Sequence, residues 1–275
     1  MAGKLFLVAT PIGNLDDMTF RAVKTLKDVD LIAAEDTRHT LQLLNHFEIS
    51  KPMVSYHRHN EDTKTDMLIE KLKEGKNIAL VSDAGTPGIS DPGSEVVKEA
   101  IKENIEIVPI PGACALINAL IVSGLDTTEF SFIGFLPLNK KNRKEKMEYI
   151  KKCSQTLILY EAPHKVKNTL NDLKEVLEDR KIVLARELTK IHEEFIRGDV
   201  QEVLDRMGEP RGEYVILIEG TKIKEDSEEE MLCNLSIQEH YKFYENKGYS
   251  KKNIIKLIAK DRNVPKNEIY KLFVD

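Results

Sequence analysis

The chain has 275 residues, 41% of them hydrophobic, with a formal net charge of -5 and three cysteines. That apolar content is ample for the cores of one large or two ordinary domains and excludes a disordered chain. Net acidity excludes a protein that coats nucleic acid through bulk charge, and Cys114, Cys153 and Cys233, far apart and without CxxC spacing, exclude a disulfide framework or a cysteine zinc site.

From the N-terminus, the short apolar run at 5–9 is broken by Pro11, too early for a signal peptide, and no later run approaches the length of a membrane span. A reducing cytoplasm is the expected compartment. Apolar runs at 5–9, 31–34, 52–55, 78–81 and 105–110 read as strands, with amphipathic helices expected over 20–27, 37–47, 62–74, 94–103 and 113–123. Such alternation predicts an α/β lobe over 1–125 whose sheet is mostly parallel and covered by helices on both faces. Asp91 before Pro92 supplies a capping oxygen for the helix near Ser94.

Gly134, Pro137 and a basic run mark the connection to a second lobe, expected over 126–221. Its strands are predicted at 131–135, 156–160, 182–186, 194–197 and 214–219, and its helices at 142–152, 166–177 and 200–207. Two successive strands without a helix between them, around 187–197, predict a mixed or antiparallel α+β arrangement. The acidic, polar stretch 221–231 then reads as a flexible linker. A small unit follows, with helices expected at 237–246, 251–261 and 266–273, and either a helix-turn-helix or a plain packing bundle fits it.

Three loops that follow apolar strands stand out. SDAGTPGISDPG (82–93) contains three glycines and two prolines, so main-chain amides can approach a ligand closely. ATPIGNLDDMT (9–19) and PIPGACAL (109–116) resemble it in character. A parallel sheet gathers such loops at the carboxyl ends of its strands, where one small molecule can touch all three. Neither GxGxxG nor GxxxxGK[ST] occurs, which argues against hydride transfer on a dinucleotide and against phosphoryl transfer.

Basic residues are concentrated locally: 137–152 carries seven Lys or Arg against two Glu, and 240–275 carries nine against four acidic residues. Such runs are solvated faces or phosphate contacts, and composition alone does not choose between them. His57 and His59 have a spacing that can ligate metal, but no carboxylate or cysteine pattern completes a site.

The loop sequences resemble the tetrapyrrole methylase family. That family's GxGPGDPxLLT loop aligns without gaps on 9–19, and its GGDP loop falls on Ala84-Gly85-Thr86-Pro87. TPIGNL (10–15), AEDTR (34–38), HNE (59–61), SDAGTP (82–87), GFLP (134–137), YEAPH (160–164) and RELTK (186–190) are similar, in order, to the branch that methylates small-subunit ribosomal RNA. PKNEIYKL (265–272) also resembles the C-terminal helical unit of that branch. Two departures stand out: Lys165 stands where the branch usually has arginine, and AGTP replaces the wider family's GGDP.

The resemblance implies two α/β lobes with S-adenosylmethionine in a cleft between them, a homodimer, and 16S rRNA or the small ribosomal subunit as partner. The implied reaction methylates the ribose 2'-hydroxyl of a cytidine in the decoding region. A same-fold methylase of a small molecule or protein, and a non-enzymatic ribosome-associated RNA-binding protein, stay open as alternatives. The implied cofactor contacts are Pro11, Ile12, Asp83, Ala84, Gly85, Thr86, Ile89, Cys114, Ala115, Tyr160 and Leu188, with Cys114 as a small packing residue. A ribose hydroxyl is a very weak acid, so a base or a cation facing the developing alkoxide is needed. Glu35, Asp36, Arg38, Asp91, Glu161, Arg186, Glu187 and Lys190 are the candidates, and the choice among them stays open. His59, Lys140, Lys141, Arg143, Lys144, His164 and Lys165 are the candidate RNA contacts, with no metal expected.

Overall fold

The structure, a computed structural model, describes residues 1–221, 232, 235–262 and 264–273. Met1–Thr221 form one compact unit and Lys222–Asp275 a second. The first unit holds two five-stranded sheets.

In the first sheet, β1 (Leu5–Val8), β2 (Leu31–Ala34), β3 (Met53–Ser55), β4 (Ile78–Val81) and β5 (Ile107–Ile110) run in the order β3-β2-β4-β1-β5. Every pairing is parallel, as the strand and helix alternation predicts. Side chains alternate across a strand, so Ile78 and Leu80 enter a core with Leu68, Leu72, Val96 and Ala100, while Ala79 and Val81 join Ala22, Leu26 and Leu44 on the opposite face. The helices supplying those residues are α1 (Phe20–Asp28), α2 (Thr37–His46), α3 (Glu61–Lys73) and α4 (Ser94–Lys102). A strand covered on both faces must be apolar throughout, and β4 is buried at every position.

Caps explain where the helices start. Thr19 accepts from the Ala22 amide at the head of α1, and Asp36 accepts from the Arg38 amide at the head of α2. The expected Asp91 cap of α4 is absent. Gly93 occupies the N-cap position with φ +141 and no side-chain cap. Its amide instead donates to Glu61 Oε1 at 2.9 Å, and a Cβ there would lie 2.8 Å from Leu80 Cδ2, so the chain enters α4 through a position only glycine fits.

The second sheet is mixed, in the order β6-β7-β10-β8-β9: β6 (Phe130–Gly134), β7 (Thr156–Glu161), β8 (Ile182–Arg186), β9 (Glu194–Gly198) and β10 (Tyr214–Ile218). Only β6 and β7 pair in parallel. One face packs under α6 (Lys140–Lys152), α7 (Pro163–Leu177) and α8 (Val200–Arg206), with Ile150, Leu157, Leu170, Leu173, Val203 and Ile216 at its core. The other face joins the two lobes. Ile158, Val183, Ala185, Val215 and Leu217 pack there against Ile12, Ala113, Leu116 and Ala119, the last two from α5 (Ala115–Ile121).

The second unit contains helices Ile237–Asn246, Lys251–Asp261 and Lys266–Lys271 around Ile254, Ile255, Ile258 and Ile269. The last of these stops short of the expected 273. His240 is fully buried, bonds Asp261 at 3.1 Å through Nε2 and accepts from Arg262 Nε at 3.2 Å through Nδ1. Burial holds its pKa below the ordinary histidine value, so it is neutral at neutral pH. The expected linker, beyond Thr221, and Cys233 lie outside the described residues. Among the described residues no helix is long and apolar enough to cross a membrane.

Candidate functional site

The three glycine- and proline-containing loops meet at the carboxyl ends of β1, β4 and β5. Thr10 and Gly85 exchange main-chain hydrogen bonds, at 2.9 Å and 3.1 Å, and the Thr10 hydroxyl donates to Ser82 O at 3.2 Å. Thr86 Oγ1 ties the second loop to the third by donating to Ala113 O at 3.1 Å. Gly85 adopts φ +83, and a Cβ on it would stand 3.2 Å from Ile12 Cγ2 and 3.6 Å from Ala113 O. The close packing of the loops therefore depends on that glycine.

A cavity of about 490 Å³ opens where they converge. Ile12 lines it from the first loop, Asp83, Ala84, Gly85, Thr86, Ile89, Ser90 and Asp91 from the second, and Cys114 and Ala115 from the third. Glu35 enters beyond β2, because β2 and β4 are paired neighbours with Ala34 opposite Val81. The second lobe supplies Phe135, Tyr160, Glu161, Ala162, Pro163, Glu213, Tyr214 and Val215. The Tyr160 hydroxyl accepts from the Leu116 amide at 3.1 Å, and its ring meets Phe132 edge-on at 4.9 Å, so it connects the lobes at the cavity wall. Burial is the main cause that raises its pKa, keeping it a neutral phenol.

Carboxylates crowd one side of the cavity. Burial raises the Glu35 pKa, and the Asp91 charge adds to the shift. Asp91 is likewise raised by burial, with Arg58 opposing and Asp83 reinforcing. The shared and largest cause is burial, which disfavours the charged form, and the neighbouring carboxylates add to it. Arg58 also donates to the Ser90 carbonyl, holding the segment that carries Asp91. Glu161 differs from these two: it is 5% exposed and accepts from the Ala162 amide at 2.9 Å and the Thr169 hydroxyl at 2.6 Å. Its oxygens are engaged in holding the start of α7.

The structure divides the expected catalytic residues. Glu35, Asp91 and Glu161 line the cavity, while Asp36 and Arg38 do not. Asp36 caps α2 and pairs with Arg38 at 2.7 Å, and that bond is the main cause holding the Asp36 carboxyl well below its ordinary range. Arg38 is 89% exposed. Arg186 pairs with Glu194 at 2.9 Å and faces, with Glu187, a second cavity. Lys190 lines neither cavity but bonds Glu187 at 2.9 Å and Glu213 at 3.4 Å. Burial opposes and the Glu187 hydrogen bond favours its charge, leaving its pKa raised. Its stem lies so close to Gly13 that a side chain there would collide with it.

Among the expected cofactor contacts, Pro11 and Leu188 do not line the cavity. Leu188 is 7% exposed and packs with Ile12 and Ala113 in the core between the lobes. Of the expected RNA contacts, His59, Lys140, Lys141, Lys144 and His164 are exposed and Lys165 is half-buried. Arg143 is committed within the protein, to Asp172 at 2.6 Å and to Thr169 at 2.9 Å, which anchors α6 on α7. His164 directly follows Pro163 at the cavity wall.

Sequence reasoning missed Ser90, Phe135, Ala162, Pro163, Glu213, Tyr214 and Val215. Phe135, Ala162 and Pro163 lie inside GFLP and YEAPH, so those motifs contained a usable signal. The Glu213 to Val215 contribution comes from strand pairing: β10 inserts between β7 and β8, setting Tyr214 opposite Glu161 and Val215 opposite Tyr160. No local pattern announces that.

Comparison with known proteins agrees with this architecture. The family model for tetrapyrrole (corrin/porphyrin) methylases matches residues 4–204. The chain is 51% identical over 273 residues to the ribosomal RNA small subunit methyltransferase I of Halalkalibacterium halodurans, covering 98% of this chain and 94% of that one. It is 52% identical over 271 residues to the protein of the same name from Bacillus subtilis, covering 98% and 93%. Among solved structures, uroporphyrin-III C-methyltransferase from Thermus thermophilus complexed with S-adenyl homocysteine shares the fold, with a TM-score of 0.57 at 14% identity, over 79% of this chain and 97% of that one.

Proposed function

The chain belongs to the tetrapyrrole (corrin/porphyrin) methylases, and we propose that it methylates small-subunit ribosomal RNA, moving a methyl group from S-adenosylmethionine to the ribose 2'-hydroxyl of a cytidine in the 16S decoding region. The observation that carries this reading is the single cavity lined by all three loops, in a chain about half identical along its length to relatives called ribosomal RNA small subunit methyltransferase I.

The residues present fit the cofactor. A volume of about 490 Å³ lies within the range of roughly 300–1,000 Å³ usual for cofactor sites. Ala84, Gly85 and Ala115 leave main chain open to the cavity, Ile12, Ile89 and Val215 offer apolar walls for an adenine, and Glu35, Asp83, Asp91 and Glu213 complement a cationic sulfonium and amine. When bound, S-adenosylmethionine supplies the electrophilic methyl group. Cys114 is part of the wall and has no role as a nucleophile in this reading.

The residues of the chain then position and deprotonate the acceptor. Asp91 and Glu35 hold raised pKa values at the cavity, which makes each a stronger base than an ordinary carboxylate. Asp91 is the base in this reading, held in place by the grip of Arg58 on Ser90 and of Glu61 on the Gly93 amide. Glu35 is its electrostatic partner. Exposed Lys140, Lys141 and Lys144 near the start of α6, with His164 and Lys165 at the start of α7, form the basic surface that receives the RNA backbone. The homodimer belongs to the same reading, supported by the apolar residues Ile117, Ile121 and Val122 that remain exposed on and after α5. The cytoplasm is its compartment.

The test is incubation of the protein with purified 30S subunits from cells lacking this gene and labelled S-adenosylmethionine. Label in 16S rRNA is the expected result. Label in no RNA, or in a small molecule alone, contradicts the reading.

A further inference from the structure

Arg186, Glu187, His192, Glu209 and Arg211 enclose a second cavity of about 380 Å³, which the methyl-transfer scheme leaves unused. It adjoins the first. Glu213 and Tyr214, which line the first cavity, are tied to residues of the second: the Glu213 amide donates to Glu187 Oε1 at 3.1 Å, and the Arg211 amide to the Tyr214 hydroxyl at 3.1 Å. Gly212 lies in that wall at φ +74, where any side chain would collide with the Glu187 carboxylate.

The lining sets two guanidinium groups, Arg186 and Arg211, beside two carboxylates, Glu187 and Glu209, and a histidine, so it offers donors for a phosphate and acceptors for a sugar or base edge. Glu187 is neutralised by Lys190 at 2.9 Å, and Arg186 is half satisfied by Glu194 while its Nε is buried without a partner. Arg211 and His192 are exposed, and among the described residues their side chains make no hydrogen bond or ion pair. The loop that closes the cavity is strained, with Glu187 at φ +50 and Thr189 at φ +66, and the Thr189 hydroxyl is buried without a partner. Unfavourable backbone of this kind, held by surrounding structure, gathers at ligand sites.

We propose that this cavity is a subsite for the nucleotide adjoining the reacting one, with Arg186 and Arg211 receiving its phosphodiester and His192 and Glu209 meeting its sugar or base. The inference rests on the RNA methyltransferase reading. A polymeric substrate is the ligand that would extend from a mostly apolar cofactor cavity into a polar one joined to it through Glu213 and Tyr214. Guanidinium groups suit phosphate because their planar donors match two of its oxygens at once.

The experiment uses the full chain with Arg211→Ala, Arg211→Glu and Arg211→Lys. Methylation of unmodified 30S subunits is followed against subunit concentration and against salt, and S-adenosylmethionine affinity is measured by calorimetry. Arg211→Ala should raise KM for the subunit about tenfold, as loss of one charge-assisted contact does. Its salt dependence should fall by about 0.7 in log-log slope, the share of one single-stranded phosphate. Arg211→Glu should be worse and Arg211→Lys should recover part of the loss, with cofactor Kd unchanged throughout. Wild-type KM and salt slope in Arg211→Ala and Arg211→Glu overturn the subsite alone, as does an equal loss of cofactor affinity. Absence of RNA methylation by the wild-type protein overturns the functional reading itself, and the subsite with it.

Discussion

Replacing Gly85 by valine perturbs the point where the three loops meet. Gly85 sits at φ +83, a conformation that costs a β-branched residue about 1–3 kcal/mol. For a domain of this size that corresponds to a loss of roughly 2–10 °C in Tm, so the protein still folds. The new Cβ would stand 3.2 Å from Ile12 Cγ2, tighter than ordinary contact, and the two methyl groups crowd a cavity in which Ile12 and Gly85 both line the wall. Overpacking of a filled site costs about 1–3 kcal/mol, which raises the cofactor Kd by about 5- to 150-fold. Gly124→Val is the control: Gly124 has nearly the same φ, +80, with nothing within 4 Å of its would-be Cβ. Calorimetry with S-adenosylmethionine and thermal unfolding of both variants provide the assay. Similar Tm losses with cofactor binding impaired only in Gly85→Val are expected. Wild-type affinity in Gly85→Val, or equal impairment in the control, refutes the placement of the cofactor among the loops.

Asp91→Asn should lower kcat by about 10²- to 10⁴-fold while cofactor Kd changes little, and a kcat within tenfold of wild type removes Asp91 as base. Because the folded pKa of Glu35 is raised, the native state holds that proton more tightly than the unfolded chain, whose value is near 4.5. Its contribution to stability is full below pH 4.5 and lost as pH rises through the folded value, so Glu35→Gln should raise Tm at pH 7 with a gain that shrinks towards pH 4; the same Tm difference at both pH values contradicts the burial argument. Lys140→Glu combined with Lys144→Glu should weaken subunit binding and flatten its salt dependence by about 0.7–0.9 per lost phosphate contact, without altering cofactor Kd. Removal of Lys222–Asp275 should leave the first unit folded, since it is compact by itself, and impair RNA binding more than cofactor binding; equal losses would argue against a role of that unit in substrate capture.

The sheets were largely legible because their strands are short apolar runs bounded by glycine, proline or caps. Leu31–Ala34, Ile78–Val81 and Ile182–Arg186 lie where the pattern puts them, and so do the helices Ile237–Asn246 and Lys251–Asp261. The start of α4 was misread because Asp91 and Pro92 satisfy a local capping rule, whereas the folded chain turns Asp91 toward the cavity and hands the free amide of Gly93 to Glu61, thirty-two residues earlier. The convergence of the loops followed from parallel topology, which fixes the edge of the sheet where they emerge. What the linear pattern could not show is partnership. AEDTR reads as one charged cluster, yet Glu35 turns into the cavity while Asp36 and Arg38 bond each other outside it. RELTK likewise reads as part of one site, and the pairing of β8 with β9 and β10 sends Arg186 and Glu187 to a neighbouring cavity.

Mass-spectrometric mapping of 16S rRNA from cells with and without this gene, complemented by the wild-type and Gly85→Val proteins, tests the central claim most directly. One ribose 2'-O-methyl group on a decoding-region cytidine should vanish with the gene, return with the wild-type protein and stay absent with the variant. Identical modification maps with and without the gene would contradict the account.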